Sequence, residues 1–145
     1  MKRNSRGFTL VEILIVVIIL GILAAIVIPQ FTSASSDARN NSLASTLQTM
    51  RGQIELFKIQ HGDTPPAQTA LTVVLTGKTS TADTTQVNTA GTFGPYVQQF
   101  PINPLNGWST VAAAAGANVG WVYVVTGTQY AVTATNTTGT TLMTY

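Results

Sequence analysis

Glu12 is the residue whose position most needs a chemical explanation. It is a single carboxylate just ahead of a run, residues 13–28, in which every side chain is apolar or glycine. An acid at the centre of a membrane helix costs about 2.5–3.5 kcal/mol on insertion scales. Two readings follow. In one, Glu12 lies shallow enough to reach the interface, or is simply protonated. In the other, it pairs with a cation that exists only after the chain has been processed. Other candidate chemistry is sparse. His61 is the single histidine and there is no cysteine, so neither a Cys/His metal site nor a thiolate nucleophile can be assembled. His61 reads as a helix-end residue whose partial charge suits the dipole. Glu55 and Lys58 read as a solvated surface pair, and Asp63 beside Gly62 as turn chemistry. Trp108, Trp121, Tyr123 and Tyr130 read as sheet packing rather than a ligand platform. Asn40-Asn41-Ser42 and Asn136-Thr137-Thr138 match the glycosylation triplet, a pattern common by chance. No phosphate loop, carboxylate dyad or nucleophile elbow occurs. The chain does not read as an enzyme, and neither a cofactor nor a metal ion is expected.

The elements around Glu12 set its context. Residues 8–28 are interrupted only by Thr9 and Glu12, and about 20 apolar residues suffice to span a bilayer core. A removable secretory signal has a shorter apolar region, about 7–15 residues. Lys2, Arg3 and Arg6 crowd the N-terminal flank, which places that end in the cytoplasm and the rest outside, a single span. Pro29 removes one helical hydrogen bond and leaves the Ala25 carbonyl without its partner. The helical pattern then resumes, with Leu43, Leu47, Met50, Ile54 and Phe57 on one stripe. Gly62, a left-handed cap, and the Pro65-Pro66 pair end it. The reading is one helix over residues 8 to about 60, weakened at Gly21 and Pro29. At 1.5 Å per residue it reaches roughly 80 Å, too long for the remaining chain to cover.

Beyond it, residues 67–75 predict a short helix and residues 78–94 a Thr/Ser/Asn/Gly-rich loop. Two Pro-Asn turn signals follow within residues 94–107. Residues 108–111 form a candidate strand. Residues 120–125 and 129–134 form a hairpin about Thr126-Gly127-Thr128, with Trp121, Tyr123 and Val125 on one face and Val122 and Val124 on the other. Residues 136–145 add an edge strand or stay loose. The expected fold class is α+β, a long N-terminal helix packed on a small antiparallel sheet. The expected divisions are a leader (1–7), a membrane helix (8–29), an amphipathic helix (30–61), a loop region with a short helix (62–107) and a sheet region (108–145).

Net charge is +2 over 145 residues, but its distribution matters more. From Phe8 onward there are four bases (Arg39, Arg51, Lys58, Lys78) against five acids (Glu12, Asp37, Glu55, Asp63, Asp83). The basic excess therefore belongs to the N-terminal tag. No basic patch on the folded domain suits nucleic acid as a primary partner.

A short basic leader ending in Gly7, then Phe8-Thr9-Leu10-Val11-Glu12 and an unbroken apolar helix, resembles the class III signal of type IV pilins and type II secretion pseudopilins. The resemblance covers residues 2–31. It implies that a prepilin peptidase cuts between Gly7 and Phe8 and methylates the new amine, which stays cationic. It implies further that this amine pairs with Glu12 of a neighbouring subunit during polymerisation, and that the helix loosens between Gly21 and Pro29 on assembly. Gly94-Pro95-Tyr96, Pro101-Ile102-Asn103-Pro104 and Gly120-Trp121-Val122-Tyr123 are similar to the variable region of major pseudopilins. The absence of a terminal cysteine pair departs from many adhesive pilins. Many major pseudopilins bind calcium in this domain through carboxylates, yet no Asp or Glu follows Asp83, which counts against a tight site here.

The function implied is a structural subunit of a periplasmic type II secretion pseudopilus that supports export across the outer membrane. Its implied partners are copies of itself, minor pseudopilins, the prepilin peptidase and an inner-membrane assembly platform. The alternatives are a surface type IV pilus subunit for adhesion, motility or DNA uptake, and a membrane-anchored binding domain that never polymerises.

Overall fold

The computed structural model describes residues 7–141. Helix α1 runs Leu10–Gln60 with Pro29 inside it. A 3₁₀ turn, Gln68–Ala70, leads into α2, Leu71–Thr76. Three strands follow: β1 Val111–Ala112, β2 Trp121–Thr126 and β3 Gln129–Ala134, in the order β1-β2-β3. The chain divides into two compact units between Ala38 and Arg39.

In the first unit every described residue is exposed. Among the described residues, α1 is the helix long and apolar enough to cross a membrane. It does not break at Pro29. Downstream hydroxyls turn back onto the helix, Thr32 Oγ1 donating to the Ile28 carbonyl at 3.1 Å and Ser33 Oγ to that of Pro29 at 3.2 Å. Both are back-bonds onto carbonyls four residues earlier, other than that of Ala25, and are of the kind that often bends a helix.

The second unit is organised by the stripe read from the sequence. Leu43, Leu47, Met50, Ile54 and Phe57 are all buried, in one core with Leu71, Val74 and Leu75 of α2, Tyr96, Phe100, and Trp121, Tyr123, Val132 and Ala134 of the sheet. The helix stops where expected. Gly62 takes the left-handed conformation (φ 63°), and the Asp63 N–H donates to the Lys58 carbonyl at 2.9 Å, the six-residue closure of a Schellman cap. Part-buried polar atoms then tie α1 to its surroundings. Tyr130 Oη donates to the Arg51 carbonyl (3.2 Å), Arg51 Nη2 to the Val132 carbonyl (3.3 Å) and Tyr96 Oη to Gln60 Oε1 (2.6 Å). Burial pushes the Tyr130 hydroxyl well above the ordinary phenol range, so it remains a donor.

Three details differ from the sequence reading. The sheet is mixed rather than wholly antiparallel, because the two-residue β1 runs parallel to β2 while β2 and β3 are antiparallel. No tight turn joins β1 to β2. The intervening residues loop round so that the backbone at Gly120 passes against Trp108, where a Cβ would lie 2.1 Å from the Trp108 carbonyl oxygen. The first strand also starts later than expected, since Trp108 belongs to an asparagine-pinned turn and is 44% exposed. Finally, Lys58 is not a solvated surface residue. It is buried, with Glu55 at 3.7 Å, Asp63 at 3.5 Å and the Tyr130 ring centroid at 5.7 Å. The alternation in β2 is as read: Trp121 and Tyr123 enter the core, Val125 packs against it and Val124 is exposed. Of the residues after β3, Thr141 bridges Thr135 antiparallel, and residues 142–145 lie outside the described residues.

Ile54 is fully buried and Ile59 is 78% exposed on the same helix. Ile54→Ala should therefore cost about 2–5 kcal/mol of stability, and Ile59→Ala less than about 0.5 kcal/mol. Urea unfolding of the full chain in detergent, followed by tryptophan fluorescence, checks this; equal costs would contradict the core described.

Candidate functional site

Helix α1 begins at Leu10, which makes Thr9 its N-cap and Glu12 the third helical residue. The side chains of these two residues close on each other. Glu12 Oε2 accepts from the Thr9 backbone N–H at 2.8 Å and from the Thr9 hydroxyl at 2.7 Å. The Glu12 N–H donates back to Thr9 Oγ1 at 3.3 Å. This is a capping box, which satisfies helix donors that have no partner in the preceding turn. The carboxylate also lies at the positive end of the helix dipole. Part of the cost of placing an acid beside hydrocarbon is thus offset within the chain. The signature, Thr9 followed three residues later by Glu12 ahead of an apolar run, is legible in the sequence; reading Thr9 only as an interruption of the apolar run misses it.

The other sequence-selected residues of this region are placed as follows. Gly7 and Phe8 precede α1 and are exposed, Phe8 strongly so at 83%. Gly21 and Pro29 lie inside α1, and a Cβ at Gly21 would meet nothing within 4 Å. The three flanking bases Lys2, Arg3 and Arg6 lie outside the described residues.

His61 is buried rather than simply placed at a helix end. Its ring stacks on Phe57 (centroids 3.7 Å apart, planes within 2°), and Nδ1 lies 2.8 Å from the Phe57 carbonyl. A carbonyl can only accept, so Nδ1 carries the proton and donates. Among the described residues no three His, Cys, Asp or Glu side chains cluster as a metal site would require. Asp83, the last acid in the chain, is used locally. Its carboxylate accepts from the Ser80 hydroxyl at 2.6 Å and the Ser80 N–H at 2.8 Å. Those bonds, the hydroxyl first, hold its pKa below the ordinary aspartate value.

A second polar centre, missed in the sequence reading, lies in the folded domain. Asn103 and Asn106 reach across to the ends of β2 and β3 through their amide groups. The Pro-Asn turn signals marked the place but not the side-chain targets, which come from residues far along the chain.

An unpartnered apolar helix that opens on a capped glutamate, joined in sequence to a small α+β domain, defines a pilin-like membrane-anchored subunit. Comparison with known proteins narrows this. Residues 2–28 match the model of the prokaryotic N-terminal methylation motif. Over 103 residues the chain is 30% identical to the type II secretion system core protein G of Pseudomonas aeruginosa, covering 71% of this chain and 70% of that protein. It is 27% identical to the protein of the same name from Dickeya chrysanthemi, covering 72% and 65%, and 26% identical to that of Klebsiella pneumoniae, covering 70% of each. No solved structure matches significantly. The chain belongs to the type II secretion core protein G family, the major pseudopilins.

Two outcomes test this geometry. Thr9→Ala removes the cap, and amide exchange over the first helical turn should quicken by about fivefold, equivalent to a typical cap loss near 1 kcal/mol, while Thr9→Ser keeps the wild-type rate. Ser80→Ala should move the Asp83 titration upward, toward the ordinary aspartate value. The sign follows from linkage: a depressed folded pKa gives stability that is present above the unfolded value and lost as pH falls through the folded one. Carboxyl NMR titration reads it, and an unchanged midpoint would contradict the role given to Ser80.

Proposed function

We propose that this chain is the structural subunit of a type II secretion pseudopilus and serves protein export across the outer membrane. The observation that carries the proposal is the exposed apolar helix that starts on the Thr9–Glu12 box. Its apolar side chains are exposed at every described residue as far as Ser42, so they must be covered by lipid before assembly and by other copies of the helix afterwards. The names of the related proteins favour a secretion pseudopilus over a surface pilus.

On this reading the precursor spans the inner membrane once, with its N-terminus in the cytoplasm. The prepilin peptidase cuts between Gly7 and Phe8 and methylates the Phe8 amine. The amine keeps its charge and docks on Glu12 of a neighbouring copy, which sets the register of each added subunit. A buried carboxylate favours whichever state supplies its counter-charge. The Thr9 bonds hold that carboxylate at the helix start, where an incoming amine can join them. Residues from Gly21 to Pro29, a poor helix former and a helix breaker, extend or unwind within the filament. Minor pseudopilins and an inner-membrane platform complete the machine. The subunit is a structural part and catalyses nothing.

Replacing the wild-type chain by Glu12→Ala in the producing cell tests the reading. The expected result is a protein that is inserted and cleaved but assembles poorly, with secretion reduced about tenfold or more; a lost buried charge partner costs about 3–5 kcal/mol. Normal filaments from this variant would contradict the proposal. Normal secretion with loss of surface fibres would move the chain to a surface pilus.

A further inference from the structure

Four backbone carbonyls and one hydroxyl converge where β2 begins and β3 ends. They belong to Val119, Gly120, Thr135 and Asn136, with Thr135 Oγ1 as the hydroxyl. Clustered acceptors repel one another unless something positive or donating lies between them. The oxygen set is of the kind a hard cation such as calcium takes, though calcium prefers six to eight ligands with carboxylates among them. The resemblance to major pseudopilins implies such an ion in this domain, so the fit needs testing against the groups present.

The residues do not fit it. The acceptors are already held by two amides. Asn103 Nδ2 donates to the carbonyls of Gly120 and Thr135, both at 2.8 Å. Asn106 Nδ2 donates to the Val119 carbonyl at 2.9 Å and to Thr135 Oγ1 at 2.8 Å, with the Asn136 carbonyl at 3.4 Å. Thr135 Oγ1 in turn donates to the Val119 carbonyl. Neither amide can be turned over to offer its oxygen instead. Asn103 Oδ1 accepts the Leu105 N–H at 2.9 Å, and Asn106 Oδ1 accepts the Trp108 N–H at 3.0 Å. Each turn therefore fixes its amide with the NH₂ facing the carbonyls. Asn103 and Thr135 are fully buried, so water does not compete for the Asn103 bonds, whereas those of Asn106 are part-buried.

We infer that the Asn103 and Asn106 amides do in this chain what a bound cation would otherwise do, gathering the ends of β2 and β3, and that the exported domain folds independently of calcium. The exchange is chemically specific. A carboxylate at 106 has no proton to donate, so the part-buried Val119 and Asn136 carbonyls would lose the donor that Asn106 gives them. The same carboxylate would complete an oxygen set that attracts a divalent ion.

Thermal unfolding of the full chain in detergent, in calcium chloride and in EDTA, is the test. The wild type should melt at one temperature in both; a lower Tm in EDTA would overturn the inference. Asn106→Asp should lose roughly 5 °C or more in EDTA and recover most of it in calcium. An Asn106→Asp protein that melts alike in both buffers would overturn the claim that the amide stands in a cation's place. If that variant folds in neither buffer, Asn103→Asp, measured in the same way, decides the point by the same two outcomes.

Discussion

An apolar helix whose first half is exposed at every described residue is the constraint on which everything else turns. Every described residue as far as Ser42 is exposed, including the isoleucines, leucines and valines of the first unit. Exposed apolar surface on this scale is tolerable only in lipid or against a partner. Glu12 makes the arrangement directional. Glu12 is the only charged side chain in residues 8–36, and its bonds to Thr9 keep it at the helix end rather than letting it wander. On the proposed reading, this capped acid is the anchor for a positive charge supplied by a neighbouring copy.

The two halves of the same helix solve different problems. Ahead of Ala38 every described side chain is exposed, and its hydrogen bonds are local ones along the helix itself. Beyond Ser42 one stripe is buried under α2 and the sheet, and aromatic hydroxyls bond to the helix backbone and to Gln60. The folded domain manages without disulfides and with few charges. Packing of Trp121, Tyr123 and Phe57 forms the centre, and asparagine amides close the open end of the sheet. Neutral donors suit a domain with no acid after Asp83, because they satisfy carbonyls without importing a charge that would need its own partner.

Much of this was legible in the residues because it depends on local chemistry. The 3.6-residue spacing of Leu43 to Phe57 specified the buried face, and Gly62 before the paired prolines specified the cap. The hairpin followed from two alternating runs about a glycine. What escaped depended on distant partners. The parallel pairing of β1 comes from a loop that brings Gly120 against Trp108, which periodicity within Trp108–Val111 cannot reveal. The burial of Lys58 arises because Tyr130, far along the chain, lies under its ammonium. At the start of α1, Glu12 stood out through its isolation, whereas Thr9 looked like noise until its hydroxyl was seen on the carboxylate. Asn103 and Asn106 sat in recognisable turns, but their targets lie on residues 119–136.

The central claim is that a new amine at Phe8 supplies the charge that Glu12 lacks. Mass spectrometry of the subunit recovered from assembled filaments tests it most directly. The account predicts a chain that starts at Phe8 and carries a methyl group on its amine. Working filaments whose subunits still carry residues 1–7 would contradict it.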